Sequence, residues 1–189
     1  MSDNAERARL YPVVLSGYDP DWPLWYDREI KRLARLIGEN TIARASHYGS
    51  TSVPGLAAKP TIDILLEIYQ DTDIDGLIKK FPKPEYICLY PPTTPSEPPH
   101  LTVIKGYLPD GFAERVFHIH VYYYKNDGLY DEIIFRDYLR ENPEAAAEYA
   151  ALKYGLLGEF KFDRDGYTLA KTGFVRETLA KAKARLSPI

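Results

Sequence analysis

One cysteine, Cys88, stands alone among 189 residues, which excludes an internal disulfide and any zinc site built from several thiolates. A buried thiol is its ordinary reading. No apolar run reaches the ~18 residues that a bilayer-spanning helix needs, and the polar opening MSDNAERARL has no apolar centre of a secretory leader. The cytoplasm is the expected compartment, and no membrane partner is expected. Lys and Arg are nowhere massed into a block, and the net charge is -3. A nucleic-acid backbone is therefore not an expected partner, which leaves the binding of a single nucleotide open. What the chain does have is 16 Tyr and 15 Pro, the prolines gathered mainly in FPKPEYICLYPPTTPSEPPH. Proline lacks the N–H that a strand ladder requires, so residues 91–99 read as an exposed loop. Hydrophobic residues at 45% and charged residues at 27% describe a soluble globular protein, and the length suits one domain over 1–189.

The hydrophobic pattern changes period along the chain. YPVVLSGYDPDW is a short extended segment ending in Asp19-Pro20, which offers an N-cap and a first-turn proline. A helix follows to about Gly38, its stripe formed by Trp22, Trp25, Tyr26, Ile30, Leu33, Ala34 and Ile37, with Arg28, Lys31, Arg32 and Arg35 outside it. That is a packing helix. Strands are expected at 42–48, 61–69, 84–90, 100–107 and 115–124, with a short helix in DIDGLIKKF and a hairpin turn in LPDGFAE. Beyond Asn126 the pattern is helical. Asn142-Pro143 separates two helices, Gly158 closes the second, and a last helix covers about 164–185. The expected class is α+β: a small mixed sheet with flanking helices over about 10–125, followed by a helical segment over 126–189.

Alternation along the strands sorts the polar residues by face. In 61–69, Ile62, Ile64, Leu66 and Ile68 share the core face, while Asp63, Leu65 and Glu67 share the other. Asp63 and Glu67 are the two candidate catalytic carboxylates, separated by about 13 Å along the strand. His118 and His120 form a His-x-His pair on one face, about 7 Å apart at Cα. With Asp63 on a neighbouring strand, the two imidazoles could hold one metal ion. Without a metal, they are simply hydrogen-bonded residues of a Tyr-rich sheet surface. Gly49, Ser50, Thr51 and Ser52 follow a strand as a small polar turn, whose N–H and hydroxyl groups suit phosphate oxygens. Neither the P-loop nor the dinucleotide glycine pattern is present. In the last helix Tyr167, Lys171, Phe174, Val175, Thr178 and Leu179 follow helical spacing, so Lys171 belongs to the inward face. A lysine there requires an anion, either Asp137 or a bound phosphate. Arg136 is a phosphate fork or a solvated arginine. Lys59 is a weaker anion ligand just before the Asp63 strand, and Lys105 and Arg115 are others flanking the hairpin.

Several long segments, YDPDWPLWYDREIKRL, HYGSTSVPGLAAKPTIDILL, RVFHIHV, FRDYLRENPEAAAEYAALK and YTLAKTGFV, resemble the GrpB family over nearly the whole chain. That family is placed in the DNA polymerase beta-like nucleotidyltransferase superfamily. The resemblance implies a nucleotidyltransferase-type fold, with a Gly-Ser phosphate turn and Asp63 as metal carboxylate. Nucleotidyltransferases place two carboxylates two residues apart so that both face Mg²⁺; here the second position is Leu65. The strand that normally supplies a third carboxylate carries His118-Ile119-His120. Three readings follow. One is nucleotidyl transfer on a nucleotide with a divalent metal, Mg or Mn, or Zn. Another is a catalytically reduced module binding a nucleotide, a phosphate or a protein partner, as a similar domain fused to dephospho-CoA kinase suggests. The last is a His/Asp metal-dependent hydrolase.

Overall fold

Period-two alternation over residues 61–68 buries two faces unequally, and the sheet forms around this strand. A computed structural model describes residues 8–90, 100–125 and 130–186. The proline-rich stretch 91–99, expected as a loop, and the start of the helical pattern after Asn126 lie outside the described residues. The described chain contains α1 (Trp22–Ile37), β1 (Ile42–Tyr48), β2 (Thr61–Ile68), α2 (Ile74–Lys79), β3 (Tyr86–Leu89), β4 (Leu101–Leu108), β5 (Gly111–Tyr123), α3 (Asp131–Glu141), α4 (Pro143–Phe160), α5 (Arg164–Ala170) and α6 (Thr172–Leu186). This is the expected α+β class. Two compact units divide it. The sheet unit is 20–48 with 61–128, and the helical unit joins 1–19 and 49–60 to 129–189. The Gly-Ser turn thus belongs with the helices rather than with the sheet.

In the sheet unit the five strands run in the order β1-β2-β5-β4-β3. β2 and β5 are parallel, and the other neighbours are antiparallel. Ile62, Ile64, Leu66, Ile119 and Val121 are wholly buried. Helix α1 packs on β1 and β2, burying Trp22, Leu33 and Ile37 through the stripe that the spacing predicted. It begins later than expected. Asp21, not Asp19, is the N-cap, and the first-turn proline is Pro23. The turn Pro109-Asp110 joins β4 to β5 as a hairpin, with Leu108 opposite Gly111.

Two buried carboxylates are matched within this unit. Glu29, 4% exposed, accepts from Tyr86 Oη at 2.6 Å and from Lys105 Nζ at 2.6 Å, which ties α1 to β3 and β4. Glu67, also buried, is gripped at both oxygens by the Arg44 guanidinium on β1, with Nη2 to Oε1 at 2.8 Å, and accepts from the Lys125 N–H. A buried charge is tolerated when it is hydrogen-bonded to an opposite charge, and removing one partner strands the other.

The helical unit has its own core, where Val53, Leu56, Leu139 and Tyr149 pack with Phe135, Ala146, Ala150 and Phe174. Tyr149 lies edge-on to Phe135 and stacked on Phe174. Two boundaries differ from the sequence pattern. α4 passes through Gly158 to Phe160, because a glycine without a left-handed turn does not end a helix. The expected last helix is split between α5 and α6 at Lys171, where the Lys171 N–H turns back to Thr168, a three-residue step that breaks the four-residue ladder.

Glu29→Ala should lower unfolding free energy by about 3–5 kcal/mol, since it strands Lys105 and the Tyr86 hydroxyl, whereas Tyr86→Phe should cost only about 1 kcal/mol. Urea unfolding of the two variants checks this; equal costs would mean that Glu29 does not anchor the network.

Candidate functional site

In the sheet unit the site starts from register. Asp63 on β2 is the direct parallel partner of His118 on β5, and Leu65 is the partner of His120. Alternation then puts all three polar side chains on the face opposite α1. Asp63 Oδ1 lies 3.6 Å from His118 Nδ1, and one ligand atom from each of Asp63, His118 and His120 falls within 4.8 Å of the others. All three are half-buried.

The two imidazoles are prepared differently. His118 Nε2 is 2.7 Å from Tyr107 Oη. Tyr107 reaches it through a break in the β4–β5 ladder between Lys105 and Tyr107. In an unbroken ladder Tyr107 would repeat the face of Lys105, and the bulge at Gly106 turns it to the histidine side. Gly106 has φ +88°, and a Cβ there would sit 2.3 Å from the Arg115 carbonyl oxygen, so only glycine makes the bulge. In the tautomer with its proton on Nε2, His118 donates to the phenol oxygen and keeps the Nδ1 lone pair toward Asp63, with Tyr107 as the outer partner that ligating histidines commonly have. His120 has Tyr48 edge-on at 5.8 Å, and burial brings its pKa down to about 4, so it is neutral near pH 7 with a lone pair available. One carboxylate and two imidazoles fit a divalent ion that accepts mixed nitrogen and oxygen ligands, such as Mn, Fe or Zn, better than Mg, which favours oxygen. Glu67 is not brought to this cluster. It sits four residues along β2 in its pairing with Arg44.

In the helical unit Gly49, with φ +70°, opens a turn in which residues 50–52 form one 3-10 step. Thr51 and Ser52 are buried; Ser52 Oγ donates to the Gly49 carbonyl at 2.6 Å, and Arg140 donates twice to the Ser52 carbonyl. Those two side chains build the turn rather than line its outside. Ser50 is left half-exposed, and Lys153 Nζ lies 3.1 Å from its Oγ.

Lys153 is the main feature of this unit that the sequence reading does not single out. It is 2% exposed, donates to the Ala57 carbonyl, and has its ammonium 4.7 Å from the Tyr149 ring centre. Burial first, then the charges of Lys171 and Lys59, bring its pKa down to about 7. Lys171 and Lys59 themselves lie 4.6 and 5.5 Å from the ring centre of Tyr167. Tyr167 is fully buried, its hydroxyl has no partner among the described residues, and burial raises its pKa to about 12. The sequence signal for Lys153 was its position one helical turn from Tyr149, on the buried side of α4. Arg136 is not part of this group. Its guanidinium is held by the adjacent Asp137 through bonds of 2.7 and 2.9 Å, and Asp137 also lies 3.6 Å from Arg140.

Among the described residues no helix is long and apolar enough to cross a membrane. Comparison with known proteins gives consistent answers. The family profile described as GrpB protein matches residues 12–181. A protein of Halalkalibacterium halodurans named UPF0157 protein is 32% identical over 179 residues, covering 91% of this chain and 83% of its own. A Mycolicibacterium paratuberculosis protein named dephospho-CoA kinase is 26% identical over 192 residues, and the match spans 46% of that longer protein. The crystal structure of conserved protein GrpB from Enterococcus faecalis superposes with a TM-score of 0.77 at 30% identity, covering 92% of this chain and 99% of that one. With the profile spanning most of the chain and the solved structure sharing its fold nearly end to end, this chain belongs to the GrpB family.

Proposed function

We propose that this protein binds a nucleotide or a similar phosphate-bearing small molecule through Ser50, Lys59, Lys153, Lys171 and Tyr167, and a divalent metal through Asp63, His118 and His120, with nucleotidyl transfer as its reaction. The observation that carries the reading is Lys153. A buried ammonium is costly by itself, and two further ammonium groups that depress its pKa make it costlier. Stability gives no reason to gather three lysines around the two buried tyrosines, Tyr149 and Tyr167. A polyanion does, because it turns their mutual repulsion into attraction and gives the Ser50 and Tyr167 hydroxyls an acceptor. A divalent ion, when bound, would supply a Lewis acid; the side chains offered to it are one carboxylate and two imidazoles, with Tyr107 orienting His118. Gly49, Thr51 and Ser52 support the site by shaping the turn.

A second reading has its own support. Leu65 occupies the place of the second carboxylate of a two-metal centre, and the chain matches about half of a protein named dephospho-CoA kinase. A module that holds its ligand without turning it over accounts for both.

The four common nucleoside triphosphates, each with Mn²⁺, test the two readings together. At a concentration about 100-fold above Kd the bound ligand raises the unfolding midpoint by roughly 5–10 °C, and Lys153→Met or Lys171→Ala removes the rise. Product formation that disappears in Asp63→Asn supports transfer; stabilisation without product supports the binding module. No stabilisation by any of them overturns the proposal.

Elemental analysis of the purified protein should find a stoichiometric divalent ion that is lost in Asp63→Asn and in the double variant His118→Ala/His120→Ala but retained in Glu67→Gln. Loss in Glu67→Gln alone would move the centre along β2.

Lys153 also sets a pH dependence. Its folded pKa, about 7, lies below its unfolded value. Between pH 7 and about 10.4 the unfolded chain therefore holds a proton that the folded chain does not, and stability rises with pH by at most about 1.4 kcal/mol per unit. This rise should be absent in Lys153→Met, as read from urea midpoints at pH 7, 8 and 9.

A further inference from the structure

The sheet unit has a concave surface on the face opposite Asp63 and the histidines. A cleft of about 310 Å³ lies between α1 and the β4–β5 hairpin, floored by Trp25 and Phe117. Five cations line it, Arg28, Arg32, Arg35, Lys105 and Arg115, against one anion, Glu29. Neighbouring carboxylates answer only part of this charge. Arg32 pairs with Glu85 at 2.5 Å, and Lys105 with Glu29 and Glu85.

The remaining three are different. Among the described residues neither Arg28 nor Arg35 has an ion-pair partner. Arg115 has only Glu114 at 3.9 Å, and that carboxylate is 83% exposed. The Arg115 guanidinium is laid 5.4 Å over the Trp25 ring, which holds its planar fork in place. The Nε–H groups of Arg32 and Arg115 are shut off from solvent without an acceptor among the described residues. A chain with a net charge of -3 has gathered two unpaired guanidinium groups, and a third paired only with an exposed carboxylate, at a single concavity, where an apolar lining focuses their field.

From this we infer that the α1 cleft is an anion site in its own right, taking a small molecule with two or more phosphate or carboxylate groups. Three arguments favour a small ligand. The volume is at the low end of small-molecule sites. Guanidinium forks match the paired oxygens of phosphate and carboxylate better than lysine does. Arg28, Arg32 and Arg35 follow one face of α1 while Lys105 and Arg115 come from the hairpin strands, so the basic residues meet across a single hollow, which suits a compact anion. The inference uses none of the residues assigned to the lysine cluster or to the metal centre and stands whether or not those readings hold.

Isothermal titration of the full chain with inorganic pyrophosphate and, separately, with citrate tests it. Arg28→Glu/Arg35→Glu changes two exposed residues of α1 without partners, so the fold should be kept, as circular dichroism will verify. Arg115→Lys keeps the charge but removes the fork. Wild type should bind one equivalent of at least one probe at the cleft, with affinity falling tenfold or more in Arg28→Glu/Arg35→Glu and measurably in Arg115→Lys. Lys153→Met/Lys171→Ala should leave this binding intact. If the lysine cluster also takes the probe, wild type binds two equivalents and each double variant binds one; if that cluster fails, wild type binds one, sensitive only to the arginine changes. Binding of both probes that is absent from wild type, or indifferent to the arginine changes, overturns the inference.

Discussion

The parallel pairing of β2 with β5 is the constraint on which the candidate metal centre depends. It sets Asp63 directly beside His118, and alternation then brings His120 to the same face without any further instruction. A slip of one residue would point both histidines at the core and the aliphatic side chains at the polar face. What prevents the slip is the opposite face, where Ile62, Ile64, Ile119 and Val121 are wholly buried. The packing of the core and the convergence of the candidate ligands are the same register seen from two sides.

Charged residues inside this protein are treated in two ways, and the contrast locates chemistry. Glu29 and Glu67 are each enclosed with cations at hydrogen-bond distance, the arrangement of groups that hold elements together. Lys153, equally buried, has a carbonyl and a hydroxyl as its hydrogen-bond partners and other ammonium groups as its electrostatic neighbours. The first pattern resolves itself within the chain. On the proposed readings, an anion from outside would compensate the second pattern, and likewise the surplus of guanidinium at the α1 cleft.

Much of the fold was legible because its elements carry clean periods. The strands at 42–48 and 61–68 follow the expected bounds closely, since an aliphatic strand buried on one face leaves little choice. The stripe of α1 was equally plain. The start of α1 was misplaced by two residues because two pairings of an N-capping Asp with a first-turn Pro compete, Asp19-Pro20 and Asp21-Trp22-Pro23, and local chemistry does not choose between them. The break at Lys171 was hidden because 164–185 keeps one helical spacing through a residue that steps differently. Glu67 looked like a candidate from its face alone; its partner, Arg44, is on another strand and invisible until the strands pair.

By itself the sequence determined which residues alternate, where the small polar turn lies, that two histidines share a face, and which family the chain resembles. These depend on neighbours a few positions away, and on segments long enough to be distinctive. Only the tertiary structure decided that Asp63 meets His118, that Tyr107 crosses a glycine bulge to orient it, and that Ser50, Lys59, Lys153 and Lys171 gather around Tyr149 and Tyr167. The reason is distance along the chain. Lys153 and Ser50 are 103 residues apart in sequence and 3.1 Å apart in space, and no local pattern records a contact that only the packing of separate elements creates.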